Sequence, residues 1–295
     1  MNFKTRFLDI FRSVFRTTRL DSLLCVFTTD RNYYSFLGKI VPNSYQYPPG
    51  TIRKVRYHGI NFEVDIHDYI GHYIYYGFKN PSQTELFALC NPDNIIIDIG
   101  TNIGFSLLNM AKITGEGGLV IGFEPDPVNF SQLQKNITLN NFTNIKVTQI
   151  GLGDKPGKFI LENVIEFNSG GKRIAVPGAT TSSDYSEVEV NTLDNFLNDK
   201  VSLSKVDLIK IDVEGFEFNV LRGAMNTIRK YSPVLYIELD DNNLKQQSSS
   251  AKELIHFLAE AGFTAMNTES KTHVDENKDF RNCHYDIRPL AKLKK

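Results

Sequence analysis

The chain has 295 residues, and its 33 basic and 34 acidic residues leave a formal net charge of −1, so no global field favours nucleic acid or an anionic surface. A hydrophobic content of 41% at this length suits one large α/β domain plus an appendage. Three widely spaced cysteines (Cys25, Cys90, Cys283) exclude a disulfide framework or cysteine zinc site and point to a reducing, cytoplasmic setting, and no apolar run approaches the length that spans a bilayer.

Residues 1–84 read as an extension and residues 85–295 as the principal domain. Phe3, Phe7, Ile10, Phe11, Val14 and Phe15 recur near helical spacing, with Lys4, Arg6, Arg12, Arg16 and Arg19 mostly on other faces. The pattern predicts an amphipathic basic helix. Such a helix packs on the main domain or across a homo-oligomer, or lies on a membrane surface through residues 1–20. An Arg-rich targeting peptide is a third reading. After Tyr47-Pro48-Pro49-Gly50, two period-two runs flank His58-Gly59 and predict a hairpin over residues 51–66. His67 to Gly77 carries two histidines and four tyrosines, an aromatic surface for packing or for a pocket wall. Residues 81–89 predict a short helix.

From residue 94 onward strands and helices alternate. Apolar runs predict seven strands: Ile95–Ile99, Leu119–Phe123, Ile145–Ile150, Val206–Ile211, Val234–Ile237, Phe263–Met266 and Cys283–Ile287. Asp126 and Pro127 mark one helix start, and Ser250 with Glu253 another, which Gly262 stops. Residues 155–191 interrupt the alternation with two strands around a Gly/Ser/Thr-rich loop at 168–186. Asn129, Asn136 and Asn141 begin glycosylation sequons that an Asn-rich chain contains by chance. The pattern predicts a doubly wound, Rossmann-like sheet that binds its ligands beyond the strand C-termini.

The first such strand runs into Asp98-Ile-Gly100-Thr-Asn102-Ile-Gly104, and a helical run follows. A dinucleotide fingerprint has glycine where this turn has Asn102, so that a backbone can approach a pyrophosphate. The turn therefore argues for a cofactor without phosphate, such as S-adenosylmethionine. Acids end, or closely follow, five successive strands: Asp98, Glu124, Asp154, Asp212 and Glu238. A parallel sheet collects its strand ends in one crevice. Glu124 lies 24 residues after Gly100, a spacing for a carboxylate that accepts ribose hydroxyls, and Pro125 holds it in an extended turn. Asp154 is placed for the adenine amino group and Asp98 for the cationic amino-acid end. Lys210 lies within the fourth strand, with a packing role and a site role both open.

Asp98-Ile-Gly-Thr-Asn-Ile-Gly104, Phe123-Glu-Pro-Asp-Pro127, Gly151-Leu-Gly-Asp154 with Gly157, Val190-Asn-Thr-Leu-Asp194 and Ile209-Lys-Ile-Asp-Val-Glu-Gly215 together resemble the FkbM-type methyltransferases, over roughly residues 85–265. The family often has Gly-Ala-Asn where this chain has Gly100-Thr101-Asn102. The resemblance implies a seven-stranded Rossmann-like class I methyltransferase sheet with an N-terminal helical and β-hairpin extension. It implies S-adenosylmethionine-dependent O-methylation of a hydroxyl on a sugar, glycan precursor or natural product. Gly100, Asn102 and Gly104 would then hold the cofactor with Asp98, Glu124, Pro125, Asp154 and Asp212. Asp212 and Glu214 would serve catalysis, Glu214 nearest the acceptor. Mg²⁺ held by Asp212 and Glu238 is an alternative source of acceptor activation. A nicotinamide oxidoreductase and a non-catalytic sugar-binding or scaffolding protein are the rival readings, while no basic aromatic stripe points to a nucleic-acid partner.

Overall fold

The computed structural model describes residues 9–10, 12–163, 168–175, 185–200, 202–268, 270, 272–274 and 283–289. Phe3, Phe7, Lys4, Arg6 and Phe11 of the basic helix, residues 176–184 of the Ser/Thr-rich loop and most of the charged 269–279 loop lie outside them. Among the described residues the basic segment is not one helix. Val14–Arg16 makes a single 3₁₀ turn, Thr17 is extended (φ −80°, ψ 143°), and α1 (Thr18–Thr28) starts after it.

After α2 (Phe36–Ile40), the expected hairpin forms from β1 (Ile52–Tyr57) and β2 (Ile60–Asp65), with Tyr57 opposite Ile60 at the turn. The Tyr/His segment is a helix, α3 (Tyr69–Tyr75), started by the Asp68 carboxylate, which accepts the Ile70 and Gly71 N–H groups. His72, Tyr75 and Tyr76 are buried, so this segment is chiefly packing. Burial lowers the His72 imidazole to about 4, although its Nε2 lies 2.7 Å from the Pro42 carbonyl. α4 (Pro81–Ala88) then leads to the main sheet.

The main domain runs β3 (Ile95–Ile99), α5 (Phe105–Thr114), β4 (Leu119–Phe123), α6 (Pro127–Thr138) and β5 (Ile145–Thr148). A small second sheet follows: β6 (Gly151–Leu152), β7 (Gly157–Asn163), β8 (Lys172–Ile174) and β9 (Tyr185–Asn191), ordered β6-β9-β7-β8. Through α7 (Leu193–Lys200) the chain returns to β10 (Leu208–Ile211), α8 (Glu217–Arg222), α9 (Met225–Tyr231), β11 (Val234–Leu239), α10 (Asp241–Gln246) and α11 (Ala251–Glu260). It closes with β12 (Phe263–Asn267), β13 (His273–Val274) and β14 (Cys283–Pro289). The main sheet is ordered β13-β12-β14-β11-β10-β3-β4-β5. Its five strands from β11 to β5 are parallel, and β14 is antiparallel to both β11 and β12. The sheet thus has eight described strands rather than the seven expected. The extra one is the two-residue β13, too short to leave a periodic signal.

The apolar runs are continuous because both faces of the sheet are covered. Ile97, Ile99, Ile209, Ile211, Leu235 and Ile237 pack on one side, and Ile96, Val120, Leu208 and Tyr236 on the other. The hairpin residues Ile60, Phe62 and Val64 share a third cluster with Ile103 and Leu108 of the main domain. Leu24, Val41 and Tyr47 belong to that cluster too, so α1 and the segment that follows it are joined to the main fold despite their different composition. Side-chain amides on and just beyond α6 complete the seam. Asn140 accepts from Asn61 N–H and donates to Asn61 C=O, both at 2.9 Å, while Asn136 accepts from Glu63 N–H and Gln132 donates to Glu63 C=O. Asn136 is fully buried and Asn129 nearly so, which closes both sequons to a glycan.

Candidate active site

β3 delivers its glycine turn against the end of β10. Gly100 has φ +81°, and a Cβ there would run into the Asp212 carbonyl, so only glycine lets the two strand ends meet. Asn102 also lies in the left-handed region (φ 50°), a conformation asparagine tolerates, and its side chain accepts the Ile103 N–H at 2.6 Å. Glu124, at the end of β4, folds back over this turn. One carboxylate oxygen accepts the Asn102 N–H at 2.8 Å and the other the Asp126 N–H at 3.0 Å. Only 6% of Glu124 is exposed, and burial outweighs these bonds and lifts its carboxyl to about 7.

Lys210 resolves the question left open by its place in a strand. It is the register partner of Asp98 across β10 and β3. Its ammonium donates to the Gly100 carbonyl at 2.9 Å and lies 3.2 Å from Asp98 and 3.3 Å from Asp212. Burial works against the charged ammonium, but Asp212 and Asp98 outweigh it and raise the lysine pKa. Asp98 is wholly enclosed and also accepts the Ser106 hydroxyl at 2.8 Å. Burial pushes its carboxyl up, and Lys210 and Ser106 draw it back.

Beyond Lys210 the site is acidic. Asp212, Glu214 and Glu238 each bring a carboxylate oxygen within 4.8 Å of the others, a spacing that could hold a metal ion. Glu214 has a left-handed backbone (φ 52°) and accepts the Asn243 amide at 3.1 Å. A Cβ on the following Gly215 (φ +104°) would lie 2.7 Å from the Asn243 carbonyl, so this turn too is written for glycine. Burial, with Asp212, Glu217 and Asp240 nearby, raises Glu214 to about 8. Burial likewise takes Glu217 to about 7, although it accepts the Val213 and Gly215 N–H groups. Asp212, first through its charge, holds the Glu238 carboxyl well above its ordinary range.

These groups surround a cavity of about 310 Å³ at the strand C-termini, within the range of small-molecule sites. Gly100, Asn102, Glu124, Pro125, Asp212 and Glu214 line it as the sequence suggested, together with Glu238 and Lys210. Asp98, Gly104 and Asp154 do not. Asp98 points to Lys210 inside the sheet, and Gly104 caps α5 against Leu133. Asp154 is exposed, because the chain leaves the main sheet after Thr148 and enters the second sheet at Gly151. Of the Tyr/His segment only Ile70 reaches the cavity.

Sequence reasoning missed Lys172 and Arg173, which reach the cavity wall from β8 and pair with Asp126 (2.8 Å) and Glu162 (3.3 Å). A three-residue strand inside an irregular insertion leaves no signal by which to find them. It also missed Asn80, Gln83 and Tyr236, which line the cavity as well.

A parallel sheet with a glycine turn and acids at its strand ends defines a nucleotide-binding type of α/β domain. The chain belongs to the FkbM methyltransferase family: residues 98–265, more than half of the 295, match the domain described as "Methyltransferase FkbM domain". It is 29% identical over 178 residues to "Methyltransferase 1" of Beauveria bassiana, covering 55% of this chain and 70% of that one. It is 27% identical over 163 residues to "Hexuronic acid methyltransferase AglP" of Haloferax volcanii (54% and 63%). To "2-O-methyltransferase NoeI" of Sinorhizobium fredii it is 25% identical over 185 residues (57% and 72%). A crystal structure of an FkbM methyltransferase from Methylobacillus flagellatus is 21% identical with a TM-score of 0.45, covering 70% of this chain and 48% of that one. The matches thus span less than two thirds of the Haloferax relative and about half of the Methylobacillus chain.

Proposed function

We propose that the protein is an S-adenosylmethionine-dependent O-methyltransferase with a class I sheet, acting on a hydroxyl of a sugar or related polyol. The observation that carries this reading is the acidic floor of the cavity. Asp212, Glu214 and Glu238 crowd together there, and Lys210 divides its charge between Asp212 and the buried Asp98. Such a floor suits a cation, the sulfonium, and repels the pyrophosphate of a dinucleotide. The sulfonium supplies an electrophilic methyl group when bound. Gly100 and Asn102 bring backbone to the cofactor, and Glu124 offers its remaining lone pairs to hydroxyls. Glu214, raised toward neutrality, takes the proton of the acceptor hydroxyl, a role that needs a base tuned near the working pH. The names of the Haloferax and Sinorhizobium relatives favour a saccharide acceptor. No helix among the described residues is long and apolar enough to cross a membrane.

Calorimetry with S-adenosylmethionine, S-adenosylhomocysteine and NAD tests the reading. The sulfonium compound should bind and release protons from the acidic cluster, the neutral thioether should bind with less release, and NAD should not bind. Binding of NAD alone would replace this reading with an oxidoreductase. The spacing of the three carboxylates favours one variant of the reading, a divalent cation on Asp212, Glu214 and Glu238 that orients the acceptor. Activity lost in EDTA and restored by Mg²⁺ would establish it.

A further inference from the structure

A second cavity, of about 250 Å³, lies between the β1–β2 hairpin and α4. Asn80 and Gln83 line this cavity and the main one alike, so the two share a wall at the start of α4. That wall stands on the acidic side of the site. The Ser82 carbonyl accepts the Tyr236 hydroxyl at 2.6 Å, and Tyr236 precedes Glu238 by two residues on β11. Aromatic rings continue the connection. Phe105 of the main cavity contacts Tyr57 (5.5 Å between centroids) and Phe87 (6.4 Å), and both line the second. The side-chain amide of Gln83 has no hydrogen-bond partner among the described residues.

The chemistry of this second cavity is mixed. Tyr57 and Phe87 give ring surface, while Lys79, Gln83 and Thr84 carry donors and Asp30 a carboxylate. Asp30 meets His58 at 2.9 Å and accepts the Tyr57 hydroxyl at 3.2 Å. One lysine, with a histidine already engaged by the Asp30 carboxylate, makes no phosphate site, which needs clustered cations free to face the anion. So many polar groups would desolvate at a cost against an acyl chain. A polyhydroxylated ring satisfies both parts: its C–H face lies on aromatic rings, and its hydroxyls meet donors and acceptors around them.

We propose that this cavity is a subsite for a second sugar unit of the acceptor. The inference rests on the methyl-transfer reading above and deepens it. The acceptor is then at least a disaccharide. The unit bearing the reacting hydroxyl faces Glu214, and its neighbour passes Gln83 into the second cavity.

Saturation-transfer NMR on the full chain tests this, with cellobiose, maltose, chitobiose and a uronic-acid disaccharide as probes and S-adenosylhomocysteine present. The variants are Lys79→Ala and Thr84→Trp, both exposed residues that line the second cavity and not the main one. At least one disaccharide should receive saturation on both rings in the wild type. Thr84→Trp should cut the signal of one ring by about five-fold or more, and Lys79→Ala should weaken it, as when a contact in a filled pocket is lost. The calorimetric affinity for S-adenosylhomocysteine should stay within about two-fold in both variants. Equal saturation in wild type and variants, or no disaccharide signal in the wild type with S-adenosylhomocysteine bound, overturns the subsite and leaves methyl transfer standing. Disaccharide signals that depend on Thr84 in a protein that binds no adenosyl compound support the subsite and overturn the cofactor reading.

Discussion

Replacing Lys210 by methionine isolates the charge at the centre of the sheet. The lysine side chain is 7% exposed and Asp98 is not exposed at all. Methionine keeps the apolar stem and removes the ammonium, leaving Asp98 with the Ser106 hydroxyl as its hydrogen-bond donor. Breaking a buried pair on one side costs about 3–5 kcal/mol. With about 2.1 cal/mol/K of unfolding entropy per residue over 295 residues, the slope is roughly 0.6 kcal/mol/K, so Tm should fall by about 5–8 °C. The loss should depend on pH. In the variant Asp98 escapes its unpaired charge by holding a proton, so its folded pKa rises further above the unfolded value. Stability from such a group is present at acid pH and lost as pH rises through the folded pKa. The deficit should therefore be larger at pH 8 than at pH 5, read by calorimetry and urea unfolding. Adding Asp98→Asn should recover much of it, since the stranded charge is then gone. A Lys210→Met protein within about 1 kcal/mol of wild type at pH 8, or no recovery in the double variant, would refute the argument.

Four further outcomes follow from the site. Glu124→Ala should weaken binding of S-adenosylhomocysteine by about 1.5–3 kcal/mol, the scale for hydrogen bonds to a charged group, and wild-type affinity by calorimetry would remove Glu124 from the ribose. Glu214→Gln should keep affinity for the neutral thioether S-adenosylhomocysteine and lose a factor of about 10² to 10⁴ in turnover. In the wild type, kcat/KM should climb with pH toward about 8 as Glu214 loses its proton, and a limb that persists in Glu214→Gln would assign it to another group. Glu124 and Glu217 are both held near 7 by burial, above their unfolded value, so stability should fall as pH rises from about 5 to 8, and a rising Tm over that range would contradict it.

The sequence carried the central strands β3, β4, β10 and β11 well because they are largely buried on both faces, and it carried the caps at Asp126 and Ser250 because capping is local chemistry. The acids were harder. Position at a strand end is legible, but which face a side chain takes depends on the neighbouring strand. Asp98 looked available to a ligand only until β10 placed Lys210 opposite it in register. Asp154 looked like a strand-end residue because nothing local announces that the chain leaves one sheet for another between Thr148 and Gly151. The Tyr/His stretch was polar enough for a pocket wall, yet its helix turns Tyr75 and His72 inward to a core that the hairpin and α1 complete. The hairpin is adjacent in sequence, but α1 lies some way upstream, and nothing local shows that it closes over this helix.

The amides along α6 have a consequence for solubility. A two-stranded hairpin leaves an open edge, and an open edge with Ile60, Phe62 and Val64 along it would template pairing with other chains. Asn140 meets both backbone groups of Asn61 as a neighbouring strand would, and Asn136 and Gln132 do the same for Glu63. α6 thus imitates a third strand with side chains alone, and it does so without exposing a new edge of its own. Shortening these amides leaves the hairpin's own ladder in place and uncovers its outer rim, so self-association should appear before unfolding does.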